Sequence, residues 1–271
     1  MGEPLVGAAA PAFENLVRLS DALKRAFAAG PAVSQVEVFG SLSSGEADQW
    51  SDVDLRVSSE DLQAAFLERH ELLRGVAVAT IEWVSPASAE GIWTTMLLRE
   101  ESPYHKLDVC FAGPEGTPVA PLPMRTVAPC CCPPDGFIGH FVLGQTLGIL
   151  RYLRARRRGL GLSCWRFAAA LVDWLAALAA ERALGRPLSQ GKLNTWEYVA
   201  LDRAADQAGA RPILGALSFA SPRDMDLAVA DLVALLVARG EEVATTRGED
   251  ALPNAVRDLT RFVREELVGI L

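Results

Sequence analysis

Residues 39–57 read FGSLSSGEADQWSDVDLRV, and the fold turns on how this stretch is read. The run before it, Val36 to Phe39, is mostly apolar and partly β-branched, which predicts a short strand ending at Gly40. After a turn or short helix through Gly45, Ser51, Val53, Leu55 and Val57 alternate with Asp52, Asp54 and Arg56. Side chains on a strand alternate faces, so Asp52 and Asp54 point the same way, about 7 Å apart along the backbone. Two carboxylates side by side repel each other unless a cation sits between them. A strand that places them beside a turn of small residues is suited to a divalent metal.

Working outward, Phe13 to Ala28 has apolar residues at three- and four-residue steps and predicts a first helix, stopped by Gly30-Pro31. A second helix is expected over Glu60 to Arg74, with Ser59 as its N-cap. Val76–Val84, Trp93–Leu98 and Lys106–Phe111 read as strands, the last two joined by a hairpin turn at Glu100-Glu101-Ser102-Pro103. A proline-dense span with three consecutive cysteines, Cys130 to Cys132, follows. Beyond it, helical periodicity dominates over Phe137–Arg157, Ser163–Leu184, Thr195–Ala208, Arg223–Arg239 and Leu252–Leu271, with Gly159, Gly185, Gly209 and Gly240 as stops. The expected architecture is α+β. A small mixed β-sheet domain with flanking helices covers 1–122, a Pro/Cys-rich linker 123–136, and an all-helical bundle 137–271.

The chain has 271 residues and a formal charge of −8. That balance argues against long nucleic acid as a partner, because such affinity comes from cationic contacts to phosphate. Adjacent cysteines do not form a disulfide framework, and no basic N-terminal region or apolar span of membrane length stands out. The expectation is a soluble, cytoplasmic protein with no membrane partner.

A third carboxylate joins the pair if the strand around Asp108 lies near Asp52 and Asp54. Glu82 is the rival for that place, with an outward-facing strand residue as its plainer reading. Three carboxylates on adjacent strands can hold two Mg²⁺, one accompanying a triphosphate and the other activating a hydroxyl, with Asp108 as base.

Gly40-Ser41 followed by Asp52-x-Asp54, with Gly45 and Ser51 in place and the segment Ser102 to Asp108 downstream, resembles the nucleotidyltransferase superfamily of DNA polymerase β. The nearest likeness is to its aminoglycoside and lincosamide nucleotidyltransferase branch. The resemblance implies that Gly40, Ser41 and Ser51 contact the nucleotide and that Asp52, Asp54 and Asp108 are the catalytic metal ligands. It implies an ATP or GTP substrate, a small-molecule hydroxyl as acceptor, and release of pyrophosphate; relatives include both monomers and homodimers. Protein targets, and nucleotide binding without catalysis, are the alternatives. Many relatives carry Arg shortly after Gly-Ser, where this chain has Leu42-Ser43-Ser44. Lys106, Arg99 or Lys192 is the substitute cation.

Other residues have plainer readings. Asp173 suggests either a cleft residue that orients or deprotonates the acceptor or, more plainly, a buried ion pair with Arg166 or a neighbouring helix; His105 suggests a phosphate contact or, more plainly, a polar surface residue. The arginines from Arg151 to Arg158 suggest a solvated helix end. Trp165, Trp174 and Trp196 are expected in the core.

Overall fold

The computed structural model describes residues 11–85, 91–99, 101–113, 138–188, 193–203 and 221–270. The chain divides into two units, Met1–Asp135 and Gly136–Leu271. The Cys130–Cys132 run, the 123–136 linker and Lys192 lie outside the described residues.

The first unit contains helix α1 (Phe13–Ala28), strand β1 (Gln35–Phe39), the short helix α2 (Gly40–Ser44), β2 (Val53–Ser58), α3 (Leu62–Leu73), β3 (Ala79–Val84), β4 (Ile92–Leu98) and β5 (Leu107–Ala112). The strands form one mixed sheet in the order β1-β2-β5-β4-β3. β2 and β5 run parallel, and the other neighbours are antiparallel. A fold combining a small mixed sheet with a helical second unit is what the sequence pattern predicts.

One face of the sheet is apolar. Val53, Leu55, Val57, Leu107, Val109 and Phe111 are buried there with Leu16, Leu23 and Phe27 of α1 and Phe66 and Leu73 of α3. Phe27 and Phe66 both meet Phe111 edge-on, at centroid distances of 5.9 and 5.5 Å. Alternation then sends Asp54, Asp108 and their flanking neighbours to the opposite face.

Two local expectations are corrected in this unit, those for Ser59 and His105. Helix α3 is capped by Asp61, whose carboxylate accepts from the Ala64 N–H at 3.0 Å; Ser59 is buried and donates to the Ala32 carbonyl instead. As expected, β4 and β5 form an antiparallel hairpin, and its connection holds a 3-10 turn at Pro103–His105, opened by the Ser102 side chain. His105 is buried, with Nε2 3.0 Å from the Gln49 carbonyl oxygen.

The second unit contains α4 (Ile138–Arg157), α5 (Gly161–Leu184), α6 (Thr195–Arg203), α7 (Pro222–Arg247) and α8 (Asn254–Ile270). Gly240 does not end its helix: α7 continues to Arg247 and stops at Gly248, whose φ of +70° suits glycine. Gly240 is buried against α4, where a Cβ would lie 2.5 Å from Val142 Cγ2. It serves close helix packing rather than termination.

The arginines near the end of α4 are only partly a solvated end: Arg151, Arg157 and Arg158 are exposed, but Arg154 and Arg156 are not. Arg156 pairs with Asp226, which is fully buried and also accepts from the Tyr152 hydroxyl at 2.8 Å. Burial and the Asp226 charge together push the Tyr152 phenol well above its ordinary range. Arg157 pairs with Glu266, and Arg154 is buried. Asp173 accepts from the hydroxyl of Tyr198, on α6, at 2.7 Å. Trp165 and Trp196 are exposed, contrary to the expectation of core positions. Helix α5 is long and apolar enough to cross a membrane by length and composition, contrary to the expectation that no apolar span reaches membrane length. Much of its surface is packed inside the protein, as Leu171, Leu175 and Leu178 are.

Candidate active site on the acidic face of the sheet

Strand register builds the site. In the parallel pair β2/β5, Asp54 lies directly opposite Asp108. The same row continues outward to Phe39 on β1 and Thr95 on β4. Asp52 immediately precedes β2 and shares a side with Asp54 through the two-residue repeat. The result is that ligand oxygens of Asp52, Asp54 and Asp108 all lie within 4.8 Å of one another. Asp108 is buried, and the other two are half-buried.

Gly40 stands against this cluster. It opens α2 with φ +66°, a region costly for any residue with a Cβ, and a Cβ there would collide with Asp54 Oδ2. Two independent constraints therefore require glycine at this point. Ser41 follows it in α2. Ser51 is buried, and its hydroxyl is engaged in the turn ahead of β2: Oγ bonds to Asp48 Oδ1 at 3.1 Å and accepts from the Asp48 N–H. That turn and the His105 contact to Gln49 hold the segment that delivers Asp52.

Lys106 is buried beside the carboxylates. Its ammonium lies 2.7 Å from Asp52 Oδ2 and is also hydrogen-bonded to Asp108 Oδ2. The other Asp108 oxygen accepts from the Thr95 hydroxyl at 2.6 Å. Thr95 carries no motif of its own. Only its register opposite Asp108 brings it here, so sequence pattern gave no signal for it. Arg99 donates its backbone N–H to the Val78 carbonyl at the far edge of the sheet.

Glu82 is elsewhere. It pairs in register with Met96, which pairs with Leu107, so it lies on the helix-covered face. It is fully buried, not outward-facing. Arg69 holds both of its oxygens at 2.7 and 2.8 Å, with His70 and Thr94 completing the set. Burial pushes its carboxyl up, but the Arg69 and His70 bonds and charges outweigh burial and hold it at about 2. Burial also lowers the His105 imidazole below its ordinary value, against the opposing pull of the Gln49 carbonyl and Glu101.

The donor set of the cluster fits a hard divalent cation. It is made of carboxylate oxygens without sulfur or imidazole, converging at a spacing one ion can bridge. An ammonium already seated on two of them marks the place as one that takes positive charge. Among the described residues it is the one such group of metal-ligating side chains.

Residues 16–84 match the family model described as the nucleotidyltransferase domain. The matched residues include Gly40, Ser41, Asp52 and Asp54. This supports the polymerase β-like superfamily suggested by the Gly-Ser and Asp-x-Asp pattern. Asp108 and Lys106 lie beyond the matched residues and are brought beside Asp52 and Asp54 by the pairing of β2 with β5. No curated protein matches the chain. A nucleotidyltransferase domain carrying a three-aspartate cluster fits nucleotidyl transfer.

Proposed function

We propose that this protein transfers a nucleoside monophosphate from a nucleoside triphosphate, ATP or GTP, to a hydroxyl of a small molecule, using Mg²⁺. The observation that carries the reading is the convergence of Asp52, Asp54 and Asp108 within 4.8 Å, in a unit whose residues 16–84 match the nucleotidyltransferase model. Asp52, Asp54 and Asp108 would hold the metal, which when bound neutralises phosphate charge and acidifies the acceptor hydroxyl.

The chain's own residues do the rest. Gly40 leaves room beside Asp54 that any larger residue would fill. The Ser41 hydroxyl donates to the outer phosphates. Asp108 takes the acceptor's proton; Thr95 donates to its Oδ1 and the Lys106 ammonium to its Oδ2, so the base role requires that ammonium to move off Oδ2. The acceptor oxygen bonds to the α-phosphorus, the bond from that phosphorus to the β-phosphate bridge breaks, and pyrophosphate leaves.

The acidic balance of the chain favours a cationic acceptor, in the manner of an aminoglycoside, over long nucleic acid. The alternative is nucleotide binding without catalysis, favoured by the pairing of Lys106 with two of the three carboxylates. One experiment separates the two. The protein is incubated with Mg²⁺, labelled ATP or GTP and a panel of hydroxyl acceptors, and pyrophosphate is measured. Release that depends on both acceptor and metal supports transfer. Tight nucleotide binding with no release for any acceptor supports the alternative.

A further inference from the structure

Lys106 is 3 % exposed, and its ammonium bonds to carboxylates that the metal reading assigns to the ion. Its backbone is fixed: the Lys106 carbonyl accepts from the Val53 N–H at 3.0 Å, and β5 begins at the next residue. Only the flexible four-carbon stem is left to move. Three carboxylates drawn this close repel one another strongly, and a lysine two residues before Asp108 offers a cation that never has to be found in solution. A divalent ion of the Mg²⁺ type needs close, nearly octahedral contact with oxygen, which an ammonium bonded to Asp52 Oδ2 and Asp108 Oδ2 obstructs.

We propose that Lys106 is a tethered cation that holds the metal's place on Asp52 and Asp108, so that a divalent ion enters only as the ammonium leaves. The inference rests on the reading of this cluster as a metal site. It also explains how a chain with Leu42-Ser43-Ser44 after its Gly-Ser pair obtains a cation for the triphosphate. The ammonium displaced by the ion is released next to the place where the phosphates bind.

The test measures metal binding without nucleotide or turnover. Mn²⁺ is titrated into wild type and Lys106→Met, whose stem is similar in shape and uncharged, and bound ion is counted by equilibrium dialysis. Removing the competing charge is expected to tighten Mn²⁺ binding by about tenfold or more. Lys106→Arg, which keeps a cation, is expected to stay much nearer to wild type. A second measurement uses the wild-type chain alone, in case a variant fails to fold. Amine acetylation is followed by mass spectrometry, with exposed Lys24 as internal control. Labelling of Lys106 is expected to rise several-fold in saturating Mn²⁺ while Lys24 is unchanged. Unaltered Mn²⁺ affinity in a folded Lys106→Met protein, or unaltered Lys106 labelling in saturating Mn²⁺, overturns the inference but leaves the metal site standing. Absence of Mn²⁺ binding in both wild type and Lys106→Met overturns the metal site itself, and the inference with it.

Discussion

At the scale of single residues, Gly40 and Asp54 form one unit. The glycine has a left-handed backbone and too little space for a Cβ, because Asp54 Oδ2 lies 2.3 Å from where that atom would be. Gly40→Ala should therefore cost about 1–2 kcal/mol of stability from the backbone alone. It should also reduce transfer activity by more than the loss of folded protein explains, since the displaced group is a carboxylate of the proposed metal site. Chemical denaturation alongside specific activity checks both. Part of this was legible in sequence: alternation in residues 51–57 placed Asp52 and Asp54 on one side, beside a turn of small residues, but the close approach of Gly40 to Asp54 was not. Lys106 was visible as a candidate phosphate contact, but its pairing with Asp52 and Asp108 was not. That pairing follows from the side-by-side parallel alignment of β2 and β5, elements separated by some fifty residues of chain. Thr95 was invisible for the same reason.

At the scale of elements, the sheet separates two charged clusters onto opposite faces. The catalytic candidates occupy one, while Glu82, Arg69 and His70 occupy the other beneath α3. Glu82 could not be placed from sequence because its face depends on the β3/β4 register, which contains an irregularity between Ala79 and Ile81. Its role is structural. Glu82→Gln should destabilise the first unit by about 3–5 kcal/mol, because Arg69 is left buried without its counter-charge. The carboxyl is held at about 2, below the ordinary 4.5, so the stability it provides is complete above about pH 4.5 and is lost as pH falls towards 2. Acid unfolding monitored by circular dichroism should show wild type losing its advantage over Glu82→Gln across that interval. In the helical unit the comparable case is Gly240, where glycine looks like a stop in sequence but is a packing contact against Val142. Gly240→Ala should cost about 1–3 kcal/mol through overpacking, rather than stabilise as a helix propensity gain would suggest. Thermal melting decides the sign.

At the scale of the whole molecule, the pattern of a mixed sheet followed by helices was readable from hydrophobic periodicity, which changes from two to about 3.6 along the chain. The polar interior was harder to read. Asp226 is one carboxylate in the sequence of α7, yet it is fully buried and bound by Tyr152 and Arg156 of α4. Only helix packing reveals such a partner. Metal binding should register in the stability of the intact chain, since an ion that binds the folded state alone stabilises it by mass action. At a hundredfold excess over its dissociation constant the gain is about 2.7 kcal/mol. Mg²⁺ should raise the melting temperature of wild type, and the increase should vanish in Asp54→Asn. The most direct measurement of the central claim compares these same two proteins in acceptor-dependent pyrophosphate release from labelled ATP or GTP with Mg²⁺. The account predicts release by wild type and a fall of about a thousandfold or more in Asp54→Asn, with nucleotide transfer to the acceptor lost in parallel. Equal rates of acceptor-dependent release from wild type and a folded Asp54→Asn protein would contradict it.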